Sequence, residues 1–481
     1  MGQLHDLTAL EQGDAIRAGE LSPVELTNHY LERIDRLDAT VGAFITVTPE
    51  IARKQAAEAE RVAVEARREG RELPPLHGVP VPVKDFTDVA GVRCTMGSAA
   101  LVDRVPTVDD HVVTKLRAAG TVLLGKTNTP EFALPPYTEN RVAPPARTPW
   151  NLERSAGGTS GGAATAVASG LAPVAHGTDS GGSIRIPSSA CGVFGLKPSR
   201  GRVSSGPTRH EVSGMGTSGP LARTVADAAA LLDVLAGPMP GDTFTAPALP
   251  PGETFAGQAL RRPKALRVAC MPEPTVPGVS VHPDCRKAVD EAADLLRELG
   301  HTVEEAAPPA VSAGAGAALL DVWKVMAATS PVPPGSEELL TPLTRYLRAE
   351  AAGVSGATYA QGLQEMRKLG QLIADTIQPV GTGYDIILTP TLAQPPVPVG
   401  SLHDDANPAN GFERMSAFTP YTMLYNASGQ PAASVPLHWN ADNLPIGVML
   451  AARYGDEATL ISLSAQLEEA RPWAARVPAL W

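Results

Sequence analysis

The sequence predicts an α/β fold: a single large domain, residues 1–481, with a central mixed β-sheet covered by helices on both faces. Three observations carry this. From His77 onward, short β-branched runs alternate with helical segments, the pattern of a largely buried sheet. Glycines stand where helices should stop, at Gly120 and Gly300. Apolar residues make up 43% and charged residues 19%, which suits a packed core and argues against disorder. A prior of ~150 residues per domain would give about three domains, but large α/β enzymes run longer as one unit.

The elements follow in order. Residues 1–75 read as an N-terminal helical segment. Thr8 and Glu11 fit a T-x-x-E capping box, and Ser22-Pro23-Val24-Glu25 fits S-x-x-E with proline at the first helical position. Glu50–Glu69 is rich in Ala, Glu and Arg, which predicts a long helix with a solvated face. The core segment, 76–236, begins where the texture changes. Strands are expected at Val79–Val83, Thr121–Leu124, Pro173–Ala175, Leu266–Ala269, Asp385–Leu388, Ala433–Pro436 and Ile446–Leu450. Helices are expected at Asp110–Ala119, Ser160–Ser169, Val225–Leu235 and Arg286–Leu299. Gly237–Pro263 reads as a Pro/Gly-rich loop. Residues 310–378 read as a helical insertion that shapes a pocket.

Several function classes are excluded early. The net charge is −11 with no basic block, a poor match for nucleic acid or an anionic membrane. Cys94, Cys191, Cys270 and Cys285 are widely spaced with no CxxC, so neither zinc nor a redox motif is indicated. No metal or other cofactor is expected. The N-terminus has early acids and no apolar core, so it is not a secretory signal, and no stretch reaches ~18 apolar residues. A cytoplasmic protein is the expectation.

The chemistry concentrates in two glycine clusters. Gly157-Gly158-Thr159-Ser160-Gly161-Gly162 and Asp179-Ser180-Gly181-Gly182-Ser183-Ile184-Arg185 both crowd hydroxyls between glycines, where backbone N–H groups can approach a ligand closely. Nucleotide-binding spacings are absent from both. Gly158–Gly162 satisfies G-x-S-x-G, the hydrolase elbow, which needs a preceding strand and a late histidine such as His301, His403 or His438. The residues before it, Asn151–Ala156, are polar and turn-like. Two tight turns without chemistry are the plainer alternative. Lys84 ends the apolar run Val79–Val83, where burial should lower its pKa and allow it to act as a base. Its neighbour Asp85 could instead keep it charged. Serine needs such a base before it can attack a carbonyl.

These residues resemble the amidase signature family. The likeness lies in GVPVPVKD around Lys84, in GGTSGG, in GTDSGGSIRIPSSACGVFGLKPSRGR, in SGPLARTVADAAALLDVLAG, in YDIILTPT and in PIGVMLAA. It spans most of the chain. It implies a serine–serine–lysine triad, with Ser183 as nucleophile, Lys84 as base and Thr159, preceded by a cis peptide bond, as the bridging hydroxyl 24 residues before the nucleophile. Threonine here replaces the family's commoner serine; it keeps the hydroxyl and adds a methyl. Ser160 is the alternative relay. The backbone N–H groups of Ser180, Gly181, Gly182 and Ser183 are expected to hold the oxyanion. Asp179 and Arg185 read as scaffold, and Cys191 as an inert thiol.

The resemblance implies an amide hydrolase acting through an acyl-enzyme, with small apolar or aryl amides as substrates and carbamates, anilides or esters as further options. Trp323, Met326 and Tyr346 in the insertion, with Phe418 and Tyr421 downstream, are candidate pocket residues. Two alternatives stay open: the glutaminase subunit of a tRNA-dependent amidotransferase, and a non-catalytic binding protein on the same fold. The expected partners are a small-molecule amide and water, with a homodimer as an option.

Overall fold

The computed structural model describes residues 2–209, 211–276, 278–311 and 313–481; Met1 of the N-terminal segment and Ser312 of the 310–378 segment lie outside them. Among the described residues, eleven strands form one sheet. They are β1 (Phe44–Val47), β2 (Val83–Lys84), β3 (Gly125–Thr127), β4 (Val174–Asp179), β5 (Phe194–Lys197), β6 (Thr217–Ala222), β7 (Arg267–Cys270), β8 (Thr302–Glu305), β9 (Ile386–Pro390), β10 (Ala432–Trp439) and β11 (Pro445–Ala452). Across the sheet the order is β1-β3-β2-β4-β6-β5-β10-β11-β9-β7-β8. β2 runs parallel to β3 and β4, and β7 parallel to β8 and β9. The remaining neighbours are antiparallel.

Both faces of this sheet are buried, and the alternation along the strands shows it. Ile386 and Leu388 of β9 and Val448 and Leu450 of β11 belong to one apolar core. Their neighbours Ile387, Met449 and Ala451 belong to another. Successive side chains on a strand point to opposite faces, so two separate cores mean two covered faces.

The N-terminal helices are α1 (Ala9–Ala18), α2 (Pro23–Val41) and α3 (Pro49–Glu69), and the first two begin at the expected caps. Thr8 and Glu11 close a capping box, and Ser22 Oγ accepts from the N–H groups of Val24 and Glu25. Between them β1 pairs with β3, so residues 1–75 are helical apart from one strand. Further along lie α4 (His111–Ala118), α5 (Gly161–Ala168), α6 (Arg185–Cys191), α7 (Val225–Leu235), α8 (Phe255–Ala259) and α9 (Pro283–Glu298). Then come α10 (Ala313–Ala328), α11 (Pro342–Ala351), α12 (Gly356–Thr376), α13 (Pro408–Phe418), α14 (Met423–Ser428) and α15 (Glu457–Ala470). Helix α10 packs against α11 and α12, and this cap shares an apolar core with α13.

Differences from the sequence reading have local causes. Val79–Val83 and Thr121–Leu124 do approach each other, through a parallel bridge between Pro80 and Val122, but the ladder proper starts later, at β2 and β3. The prolines at 80 and 82 cannot donate to a ladder. β5, β6 and β8 are not among the expected strands: β5 and β6 carry glycine or proline, and β8 is a short edge that ends in two glutamates. The 237–263 loop contains the short helix α8, capped by Thr254. No helix among the described residues is long and apolar enough to cross a membrane.

Candidate active site

Strand β4 ends at Asp179, and the chain crosses the second glycine cluster before entering α6. Asp179 holds that loop in shape. It accepts from the N–H groups of Gly182 (2.8 Å) and Ile184 (3.1 Å), from Arg185 Nε (3.0 Å) and Nη2 (2.9 Å), and from Asn426 Nδ2 (2.8 Å). Arg185 donates further to the Thr422 carbonyl (2.8 Å) and to Asn426 Oδ1 (2.6 Å). Both charged side chains are fully buried. Burial alone would raise the Asp179 pKa; the Arg185 guanidinium reverses this and holds the carboxyl well below the usual carboxylate range. Gly182 sits at φ 128°, and a Cβ there would meet Thr422 Oγ1 at 2.4 Å, so no larger residue fits.

Lys84 reaches the same place from β2, the strand beside β4. Its Nζ donates to Thr159 Oγ1 at 2.5 Å and to Thr178 Oγ1 at 2.8 Å. Burial drives its pKa well below the ordinary lysine value; the charge of Arg209 acts in the same direction, and that of Asp179 opposes it. Asp85 does not pair with Lys84. It faces Lys126 at 3.3 Å and accepts from the Thr95 N–H (2.9 Å) and hydroxyl (2.5 Å).

Thr159 follows a cis peptide bond, Gly158–Thr159. The next residue, Ser160, points elsewhere: its hydroxyl donates to the Thr178 carbonyl (3.0 Å) and accepts from the Thr178 N–H (3.2 Å). Ser160 therefore ties the start of α5 to β4, and Thr159 is the hydroxyl in contact with the lysine. The Ser160 N–H donates to the Ser183 carbonyl at 3.0 Å, which sets the two glycine clusters side by side. Ser183 Oγ makes no hydrogen bond among the described residues and faces a cavity that Thr159 also lines. Catalytic hydrogen bonds are often completed only with substrate bound. Of the four expected oxyanion donors, the Gly182 N–H is already engaged by Asp179. The N–H groups of Ser180, Gly181 and Ser183 have no acceptor among the described residues.

The cavity measures about 300 Å³ and is mostly apolar. Helix α10 supplies Gly316, Leu319, Leu320 and Trp323; α11 supplies Leu343 and Leu347. Phe412 and Met415 of α13, Met423 of α14 and the Leu134–Pro136 turn complete the apolar wall. Among the described lining residues none is charged. Of the candidate pocket residues, Trp323 lines the cavity. Met326, Phe418 and Tyr421 do not line the cavity. Met326 lies one turn beyond Trp323 and packs into the cap. Phe418 turns inward at the end of α13. The Tyr421 hydroxyl donates to the Pro272 carbonyl (2.7 Å), away from the cavity. Tyr346 also packs into the cap, between the lining residues Leu343 and Leu347.

Other candidates fall away on geometry. No strand precedes Ser160, only isolated bridges at Arg154 and Ser155, so the elbow motif lacks its context. His301 binds the Leu266 N–H and Gln466, His438 binds Glu291, and His403 sits near Glu139; none lines the cavity. Cys191 is buried at the end of α6, and burial pushes its thiol up to about 12. Sequence reasoning missed Thr178. Its role depends on β4 lying beside β2, a pairing that no local motif encodes.

A profile of the Amidase family matches residues 25–461. The chain belongs to the amidase signature family. This amidase is 38% identical over 474 residues to the putative amidase AmiB2 of Mycobacterium tuberculosis, covering 98% of each chain. It is 35% identical over 497 residues to a glutamyl-tRNA(Gln) amidotransferase subunit of Thioalkalivibrio sulfidiphilus, covering 99% of each. Its fold matches the solved structure of a 6-aminohexanoate cyclic dimer hydrolase with a TM-score of 0.90 and 34% identity across the whole of both chains. The amidase is a hydrolase of amide C–N bonds.

Proposed function

We propose that this amidase hydrolyses amides of apolar or aryl acyl groups, with Ser183 as nucleophile, Thr159 as relay and Lys84 as base. One observation carries the reading: a buried, deprotonation-prone Lys84 touches Thr159 at 2.5 Å beneath an apolar cavity that Ser183 faces. Neutral Lys84 has a lone pair for the Thr159 proton. Thr159 in turn takes the Ser183 proton as the serine oxygen attacks the amide carbonyl. The negative charge that develops on the carbonyl oxygen meets the free N–H groups of Ser180, Gly181 and Ser183; each such donor is worth about 3 kcal/mol in the transition state. Collapse breaks the C–N bond, and the relay returns its proton to the leaving amine. Water then attacks the acyl-enzyme by the same relay, releasing the acid and restoring the Ser183 hydroxyl.

The apolar wall supports the substrate class. The similarity to the amidotransferase subunit favours a second reading, glutamine hydrolysis. Glutamine carries an ammonium and a carboxylate, and charged groups placed against an apolar wall lose hydration without compensation. A hydrolysis screen over anilides, primary amides, carbamates, esters and glutamine tests the reading. Turnover should be highest with aryl or alkyl acyl groups. Glutamine as the preferred substrate would transfer the protein to the second reading.

A further inference from the structure

A second, smaller cavity of about 70 Å³ lies on the lysine side of the site. Its wall includes Thr178, which accepts the second hydrogen bond of Lys84, and Ser180 of the glycine cluster. It also includes Phe86, whose ring centroid lies 5.8 Å from Lys84 Nζ. Arg209 stacks on the same ring, with Cζ 3.7 Å from the centroid. The Arg209 guanidinium makes no hydrogen bond and no ion pair among the described residues, and its Nη2 is buried without a partner. Arginine stays charged in proteins, and its planar fork of N–H donors matches a carboxylate. A charged fork left unpaired beside a cavity is therefore a ready receptor for an anion.

The carboxylates nearby do not satisfy it. Asp110 accepts from the Asp88 N–H (2.8 Å) and from the Thr208 hydroxyl. Asp88 is held in a two-point pair by Arg104, at 2.7 and 2.6 Å. Glu211 accepts from the Gly214 N–H (2.9 Å) and the Ser213 hydroxyl. Asp110 and Glu211 line the cavity and spend their hydrogen bonds on these donors; Asp110 attracts the Arg209 charge through space but does not fill its N–H fork.

We propose that this cavity is a subsite for a carboxylate carried on the leaving amine of the substrate, bound by Arg209. The proposal rests on the roles given above to Lys84, Thr159 and Ser183. The relay returns its proton to the leaving nitrogen from the lysine side, so the amine faces Lys84, Thr178 and the second cavity. The apolar cavity takes the acyl group. The substrate class narrows to acylated amino acids: an apolar or aryl acyl group on an amine that bears an acid.

Binding to Ser183→Ala, measured by calorimetry, tests this without depending on turnover. The ligands are the phenylacetyl amides of glycine, β-alanine and 4-aminobutyrate, each set against the neutral N-alkyl phenylacetamide of equal length. The best acid should bind about tenfold or more tighter than its neutral counterpart, the usual worth of a charge-assisted pair. Adding Arg209→Gln should remove that preference, and Arg209→Lys should restore part of it. An amide carrying its carboxylate on the acyl side should gain nothing. Equal binding of acids and neutral amides, an Arg209→Gln effect shared by both, or a preference for the acyl-side acid would overturn the proposal. Turnover of the neutral amides by the unaltered enzyme tests the amide-hydrolysis reading separately.

Discussion

Ser183→Ala should cut turnover by at least about 10³-fold while leaving thermal unfolding unchanged, because no neighbour can form the covalent bond in its place. Steady-state rates and a melting curve on the same preparation check both halves. Thr159→Ala should cost roughly 10²–10⁴-fold, the range for a lost proton-transfer partner, and Thr159→Ser should stay active. Ser160→Ala should cost far less, since Ser160 bonds to the Thr178 backbone and not to Lys84. Lys84 works as a base only when neutral. Its folded pKa lies well below the ordinary value, so kcat/KM should rise with pH through that depressed pKa and level off above it. A profile flat into mild acid would contradict a lysine base. Lys84→Ala should remove most activity, with recovery at high pH. At this scale the sequence was informative. Lys84, Thr159 and Ser183 stand in long motifs whose resemblance implied their roles. Asp85 was ambiguous in the sequence because it stands just past the end of β2, where strand alternation no longer sets the direction of a side chain; the structure pairs it with Lys126.

The glycine loop and the helical cap carry the next level. Gly182→Ala should cost about 1–3 kcal/mol through overpacking against Thr422 and should also lower kcat, because the loop that aims the N–H groups must shift. Chemical denaturation and kinetics together separate the two effects. Trp323→Ala should raise KM for aryl acyl substrates more than for short alkyl ones, since it removes an aromatic wall of the cavity. Equal effects on both classes would mean that Trp323 supports the cap without contacting substrate. The sequence reads residues 310–378 as helical without strands, but it does not show which side chains form the inner face. Trp323 lines the cavity and Met326 does not, because the cavity ends within one helical turn. Tyr421 has the composition of a pocket residue and spends its hydroxyl on the Pro272 carbonyl, a contact 149 positions distant in the chain.

Across the molecule, one sheet buried on both faces brings β2 and β4 together and so delivers Lys84 and the Ser183 loop to one point. The α/β class followed from strand–helix alternation. Strand order did not, because β5 and β6 lack the β-branched runs that mark a strand in sequence, β8 has only Thr302-Val303 before two glutamates, and pairing between distant strands leaves no local trace. The buried Asp179–Arg185 pair joins this architecture to the site. Arg185→Met should leave an uncompensated buried carboxylate and cost about 3–5 kcal/mol in denaturant unfolding, with activity lost as the loop relaxes. Labelling tests the central claim most directly: the amidase is treated with a fluorophosphonate or an acylating inhibitor across a pH series, and the adduct is located by mass spectrometry of peptides. The adduct should sit on Ser183, form faster as pH rises, and slow sharply in Lys84→Ala. An adduct on Ser160 or Cys191, or labelling of Ser183 that is indifferent to Lys84, would contradict it.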